Sequence, residues 1–138
     1  MNINKLKRIA ESGDTEAQFN LGVCYYYGRG VEQDYEEAVY WIKKAVKQGN
    51  HHAQDSLGDC YFYGRGVEQD FEEAVKWYKK AAEQDNGVAQ RNLGNCYVLG
   101  AGVPKDFEKA KMWHDKAKEN GEEYDKELIQ KMEEAFNS

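Results

Sequence analysis

A seven-residue segment recurs at a fixed interval along the chain. The sequence Gly-Arg-Gly-Val-Glu-Gln-Asp occupies residues 28–34 and returns unchanged at 64–70, and an altered copy, Gly-Ala-Gly-Val-Pro-Lys-Asp, occupies 100–106. A period of this size is typical of a solenoid, in which one supersecondary unit stacks on copies of itself. Because solenoids present extended binding surfaces, the period favours a binding protein over an enzyme.

Each unit is predicted to contain two antiparallel helices. In the first copy, Ala17, Leu21 and Cys24 fall at helical spacing and form one apolar stripe. Gly28 and Gly30 then break the helix, since glycine supplies positive φ or allows close backbone approach. The pattern therefore predicts an all-α fold of eight helices.

The second helix of each unit is expected to start at an aspartate. Asp34 and Asp70 are good N-caps, and a glutamate follows each three residues later, as Glu37 does after Asp34. This spacing resembles a capping box. In the third copy Lys109 stands where the glutamate is expected, which predicts a weaker cap.

The chain is interpreted as a single repeat domain over residues 1–138. It is expected to comprise a half-unit helix at about 3–12, repeats at about 14–49, 50–85 and 86–121, and a capping helix at about 124–136. The capping helix keeps an apolar face formed by Leu128, Ile129, Met132 and Phe136.

Charge and hydropathy exclude several classes of function. The net charge is −6, with 19 basic and 25 acidic residues, whereas a nucleic-acid binder needs a basic stripe. No run of 18 or more apolar residues is present to span a membrane, and the first residues lack the apolar stretch of a signal peptide. We therefore expect a cytoplasmic monomer that binds a protein or peptide, and no nucleic acid.

The three cysteines occupy one position of the repeat, at Cys24, Cys60 and Cys96. Neighbouring copies should lie roughly 10 Å apart, which is too far for a disulfide or a shared zinc ion. We interpret them as reduced thiols that act as small buried hydrophobic side chains.

One cluster has the spacing of metal ligands, namely His51, His52, Asp55 and Asp59. Its members lie one helical turn apart, but a solvated helix start is rich in such residues and no other copy repeats them. We therefore expect no metal, no cofactor and no catalytic residue. His114 is expected to be a packed surface histidine.

The full repeat pattern carries a family resemblance. The unit A-Q-x-x-L-G-x-x-Y-x-x-G-x-G-V-x-x-D-[YF]-x-x-A-x-x-W-x-x-K-A resembles the Sel1-like repeat, a relative of the tetratricopeptide repeat, over about residues 5–136. The resemblance implies a right-handed α/α superhelix, a concave groove and an adaptor role. The chain also resembles the Helicobacter cysteine-rich proteins, some of them described as weak penicillin-binding hydrolases. It departs from their pattern, because their repeats carry paired cysteines and this chain has one per unit.

Positions that vary between copies fall on one face of the first helices, opposite the packed stripe. By the tetratricopeptide resemblance this face lines the concave surface. The predicted protein-binding residues are Phe19, Val23, Tyr26, Asp55, Asp59, Phe62, Arg91, Asn95 and Val98. The alternative is that Tyr26 and Phe62 pack between units, and Tyr27 and Tyr63 fit either role.

Three functions are compatible with these patterns. The first is a non-enzymatic adaptor whose groove binds a peptide or partner protein. The second, suggested only by the cysteine-rich relatives, is a weak hydrolase of β-lactam or peptidoglycan compounds. The third is an idealised repeat scaffold without an evolved ligand.

Overall fold

Short loops rich in glycine, asparagine and aspartate separate the helices of the protein. The computed structural model describes residues 2–123, 127, 130, 131, 133 and 134. The helices with defined bounds are α1 (Ile3–Glu11), α2 (Thr15–Tyr27), α3 (Tyr35–Lys47), α4 (His51–Tyr63), α5 (Phe71–Ala82), α6 (Gly87–Leu99) and α7 (Phe107–Glu119). No strand occurs among the described residues, and the predicted all-α helical repeat fold is confirmed. None of these helices is long and apolar enough to cross a lipid bilayer.

The chain divides into two compact units, Met1–Asp70 and Phe71–Ser138. The first unit holds α1 to α4 and the second holds α5 to α7. Within each unit, every helix packs against the one that follows it in sequence. The core of the first unit includes Leu6, Ala10, Ala17, Leu21 and Trp41.

Buried glutamines join the end of one helix to the start of the next. The Gln18 side chain donates from Nε2 to the Ala10 carbonyl oxygen at 3.2 Å, and its Oε1 accepts from Gln48 Nε2 at 2.8 Å. In the second unit, Gln90 donates to a carbonyl at the end of α5 and accepts from Asn120 at 2.9 Å. Gln18 and Gln90 thus each bond to a helix-terminal carbonyl that has no partner within its own helix.

The loop after α2 satisfies the carbonyls of that helix's last turn. Gly28 adopts the left-handed conformation, with φ of 71°, which reverses the chain without a steric penalty. Three donors of the loop then reach three successive carbonyl oxygens: Arg29 N–H to Cys24 (2.8 Å), Asp34 N–H to Tyr25 (2.9 Å) and Gln33 Nε2 to Tyr26 (2.8 Å).

The same bonds recur in loop 64–70, where Gln69 Nε2 donates to Phe62 O at 2.8 Å. Loop 100–106 keeps the two backbone bonds, from Ala101 and Asp106, but has Lys105 in the glutamine's place. A lysine side chain also carries donors, but it lacks the planar amide that makes this bond in the first two loops.

Asp34 caps its helix as predicted, and Asp106 caps the corresponding helix of the third copy. The Asp34 side chain accepts from the Glu37 N–H at 3.1 Å, and the Asp106 side chain accepts from the Lys109 N–H at 3.1 Å. The Asp34 N–H donates to a carbonyl of α2, so it does not need the glutamate side chain of a capping box. For this reason the substitution by Lys109 leaves the cap geometry of the third copy unchanged.

The predicted capping helix is only partly described. Residues 127, 130, 131, 133 and 134 are helical. Its predicted apolar face at 128, 129, 132 and 136 lies outside the described residues.

Gly66 allows the loop of the second copy to touch the first turn of α3. Its φ is 75°, and a Cβ built there would lie 2.7 Å from the Tyr35 carbonyl carbon and 2.8 Å from Val39 Cγ2. Gly30 has the same conformation, with φ of 73°, but its nearest neighbour would be Ile3 Cβ at 3.8 Å. The two glycines therefore differ in steric surroundings and share the same backbone strain on substitution.

Replacing these glycines by alanine should separate the two effects. Gly30→Ala should lower the free energy of unfolding by about 1–2 kcal/mol, the cost of a side chain in the left-handed region. Gly66→Ala should cost about 1–3 kcal/mol more, because the methyl group overlaps the α3 backbone. Urea denaturation followed by circular dichroism measures both values, and equal losses would contradict this account of the contact.

Candidate protein-binding face

The six predicted positions of the first unit lie on α2 and α4 and differ in exposure. Asp55 is buried, with 7% of its surface exposed. The others are half-buried: Phe19, Val23, Tyr26, Asp59 and Phe62. The Phe19 ring stacks on His52 with centroids 6.1 Å apart, so the two helices meet on this face.

The Arg65 guanidinium lies among tyrosine side chains near the C-terminal ends of α2 and α4. Arg65 Nη1 donates to the Tyr26 hydroxyl oxygen at 2.6 Å. The guanidinium carbon lies 5.6 Å from the centroid of the Tyr26 ring, 5.8 Å from that of Tyr35 and 4.8 Å from that of Tyr63. These are cation–π distances. We call this group of four residues the Arg65 cluster.

The electrostatics of the cluster keep the Tyr26 hydroxyl neutral and the Arg65 guanidinium charged. Burial raises the pKa of Tyr26 above its ordinary value of 10.0, and the hydrogen bond from Arg65 offsets this only in part. The same hydrogen bond raises the pKa of Arg65. At neutral pH the cluster is therefore a positive charge in contact with three tyrosine rings, and the Tyr26 hydroxyl bonded to it is uncharged.

The sequence did not point to Arg65 or Tyr35 as site residues. Arg65 belongs to a repeated loop segment, and Tyr35 is the first residue of the helix after such a segment. Turn geometry already explains why these segments recur. The available signal was a loop position at which the third copy loses a positive charge, since Arg29 and Arg65 correspond to Ala101. Arg29 contacts the Tyr27 ring at 4.9 Å.

Tyr27 and Tyr63 are surface residues. They are 59% and 55% exposed, so the alternative that they form core between units is wrong. Tyr27 packs edge-on against Tyr26, with centroids 4.9 Å apart, and Tyr63 packs edge-on against Phe62 at 5.0 Å. Each exposed ring is thus supported by a half-buried ring beside it.

The three predicted positions of the second unit contact α7 or the residues just after it. Arg91 Nη1 forms an ion pair with Glu122 at 2.8 Å, and Asn95 Oδ1 lies 3.0 Å from His114 Nε2. Val98 is 9% exposed and packs near Ala110. Their role in binding stays a prediction, and we base the proposal below on the first unit.

His114 is buried, with 4% of its surface exposed, so the expectation of a surface histidine is wrong. A Cβ at Gly94 would overlap its ring. Gly94 in α6 therefore makes room for the His114 ring between α6 and α7. The position of His114 in the repeat did not predict this.

The cluster with metal-ligand spacing does not converge on a point. Among the described residues, no group of three or more His, Cys, Asp or Glu side chains could hold a metal ion. The His51 and His52 rings instead lie against each other, with centroids 4.2 Å apart. Burial, and then the neighbouring His52, lower the pKa of His51 below 6.5.

The lowered pKa of His51 predicts that the folded protein loses stability at acidic pH. The unfolded chain binds a proton at His51 more readily than the folded chain does, so the stabilising contribution of neutral His51 is present above pH 6.5 and is lost as the pH falls through the folded-state value. In His52→Gln, NMR titration should show a higher pKa for His51 that still lies below 6.5, because burial remains. An unchanged value would exclude coupling between the two rings.

The cysteines are present as thiols but differ in exposure. Cys60 and Cys96 are fully buried, whereas Cys24 is half-buried at the edge of the first core. Burial, with a smaller contribution from Asp59, raises the pKa of Cys60 to about 12. Since the thiolate is the reactive form, Cys60 should be inert in the folded protein.

Alkylation tests this difference directly. Under native conditions iodoacetamide should modify Cys24 first, and all three thiols should react once the chain is unfolded in urea. Peptide mass spectrometry identifies each modified residue, and Cys24→Ser should abolish the early product. Modification of Cys60 as fast as Cys24 would show that the burial is not maintained in solution.

Comparison with known proteins gives a consistent result. Residues 15–50, 51–86 and 87–122 each match the sequence model of the family described as Sel1 repeat. No curated protein matches the chain at a significant level.

Solved structures with the same fold come from several bacteria. A Sel1 repeat protein from Oxalobacter formigenes is 31% identical with a TM-score of 0.83, and the match covers 86% of this chain and 47% of that one. A protective antigen of uropathogenic Escherichia coli, which displays an SLR fold, is 35% identical with a TM-score of 0.68, covering 88% and 34%. The chain thus spans half or less of the length of either. Helicobacter pylori cysteine rich protein B has a TM-score of 0.71 at 22% identity, covering 89% and 93%, and shows the fold alone.

Proposed function

Because the chain belongs to the Sel1 repeat family, whose repeats are generally protein-interaction modules, we propose that it is a non-enzymatic adaptor. It binds a peptide or a segment of a partner protein through the face formed by α2 and α4. By the tetratricopeptide resemblance, this is the concave side of the first helices.

The observation that carries the proposal is the exposed aromatic group at the ends of α2 and α4. Tyr27 and Tyr63 each present more than half of their surface to solvent, beside the half-buried Tyr26 and Phe62. Tyrosine and arginine are enriched among residues that dominate binding energy. Rings already supported by neighbours lose little conformational entropy on binding, which favours affinity.

A reducing compartment is part of the proposal. It is supported by the thiol state of all three cysteines, two of which are fully buried. The hydrolase alternative gains no support, because the H. pylori protein is similar in fold only and the cysteines of this chain are single in each repeat.

Substitution of the exposed rings tests the face. An immobilised peptide array first identifies peptides that bind the parent protein. Tyr27→Ala/Tyr63→Ala should weaken binding to these peptides by about tenfold or more, because truncating such anchors typically costs above 1 kcal/mol each. Both positions are largely exposed, so the double variant should keep the helical circular dichroism of the parent.

Tyr40→Ala provides the matched control. Tyr40 is 51% exposed but lies on α3, against Trp41 and Lys44. Its removal should leave array binding unchanged. Equal losses in the control and the double variant, or no loss in either, would place the binding face elsewhere.

A further inference from the structure

We propose that Arg65 is an anion anchor that binds the side-chain carboxylate of an aspartate or glutamate in the partner segment. This inference rests on the proposed function and adds the chemistry of the ligand. The Arg65 cluster, which includes the exposed Tyr63 ring, and the exposed Tyr27 ring packed against Tyr26 form one surface within the first unit.

The first argument is that the charge of Arg65 is not neutralised by a carboxylate. In the part of the chain that the structure describes, the hydrogen bond of its guanidinium goes to the Tyr26 hydroxyl, which is neutral at physiological pH, and its other side-chain contacts are with tyrosine rings. By contrast, Arg91 of the second unit is paired with Glu122 at 2.8 Å. Arg65 is therefore a cation whose remaining N–H groups are available to an anion.

The second argument is preorganisation. A guanidinium presents five N–H donors in a rigid fork that suits a carboxylate, but a free arginine side chain loses rotamer entropy when it binds. Here the bond to Tyr26 and the contacts with Tyr35 and Tyr63 already hold the fork in place. Arg29, at the same position of the first repeat, places its guanidinium on the Tyr27 ring and is exposed.

The third argument selects a carboxylate over a phosphate. No second cation contacts the three rings of the cluster among the described residues, and the charge of Asp59 acts on Tyr26. Within the cluster, a dianion would be repelled by Asp59 with the Arg65 guanidinium alone to oppose it, whereas one carboxylate matches the charge of Arg65. The exposed rings of Tyr27 and Tyr63 suit the apolar neighbours of that carboxylate in an extended segment.

A pair of small probes tests the anchor without knowledge of the partner. Ac-Glu-Tyr-NH₂ and Ac-Gln-Tyr-NH₂ differ only in the carboxylate, and both have blocked ends. Titration at low ionic strength, followed by the NMR signal of the Arg65 Nε–Hε group, should show about five- to tenfold tighter binding of the glutamate probe. The preference should shrink as salt is added.

Matched variants locate the preference. Arg65→Lys keeps the charge but removes the fork, and should abolish most of the preference when backbone amide shifts report binding. Tyr26→Phe removes the hydroxyl that holds Arg65 and should reduce the preference severalfold. Arg29→Lys, at the same register, should leave it unchanged.

The outcomes distinguish the anchor from the adaptor function. Equal affinity for the glutamate and glutamine probes in the parent protein overturns the anchor, even if the peptide array yields binders. A preference that survives Arg65→Lys, or that is lost equally in Arg29→Lys, overturns it too. A clear preference together with an array in which Tyr27→Ala/Tyr63→Ala changes nothing would support the anchor and overturn the wider binding face.

Discussion

The rest of the structure depends on how the last carbonyls of each first helix are satisfied. In the first two repeats, two loop amides and a glutamine side chain reach three successive carbonyl oxygens, and the left-handed glycine at 28 or 64 makes this possible. Unsatisfied carbonyls at a helix end carry a free-energy penalty when they are buried. Once these bonds form, the loop has one conformation, and the aspartate that caps the next helix is placed by it.

The same hydrogen bonds between the loop and the helix end determine where Arg65 lies. Its own N–H donates to the Cys60 carbonyl at 2.9 Å, so its backbone is part of the helix end while its side chain extends to Tyr26 of the preceding repeat. A residue that serves the architecture through its backbone can thus serve recognition through its side chain. The third copy separates the two roles, because Ala101 keeps the backbone bond and lacks the guanidinium.

The sequence predicted features that depend on spacing and failed for those that depend on side-chain direction. Helix pairs, glycine C-caps and aspartate N-caps are local, so their residue types recur in each copy and could be recognised. The burial of Asp55 and His114 depends on neighbouring helices, and for His114 on the space left by Gly94. The Tyr26–Arg65 bond joins residues 39 positions apart, and no periodic pattern encodes such a contact.

The close approach of Gly66 to α3 also bears on how such a chain can change during evolution. Gly66 meets the first turn of α3, and Gly102 meets the carbonyl of Phe71 at the first turn of α5 in the same way. Loops 64–70 and 100–106 are therefore each fitted to the backbone of the repeat before them. An insertion or deletion of a few residues between these points would break the fit, whereas gain or loss of a whole repeat preserves it. The lineage of such a protein should accordingly grow and shrink in steps of one complete repeat.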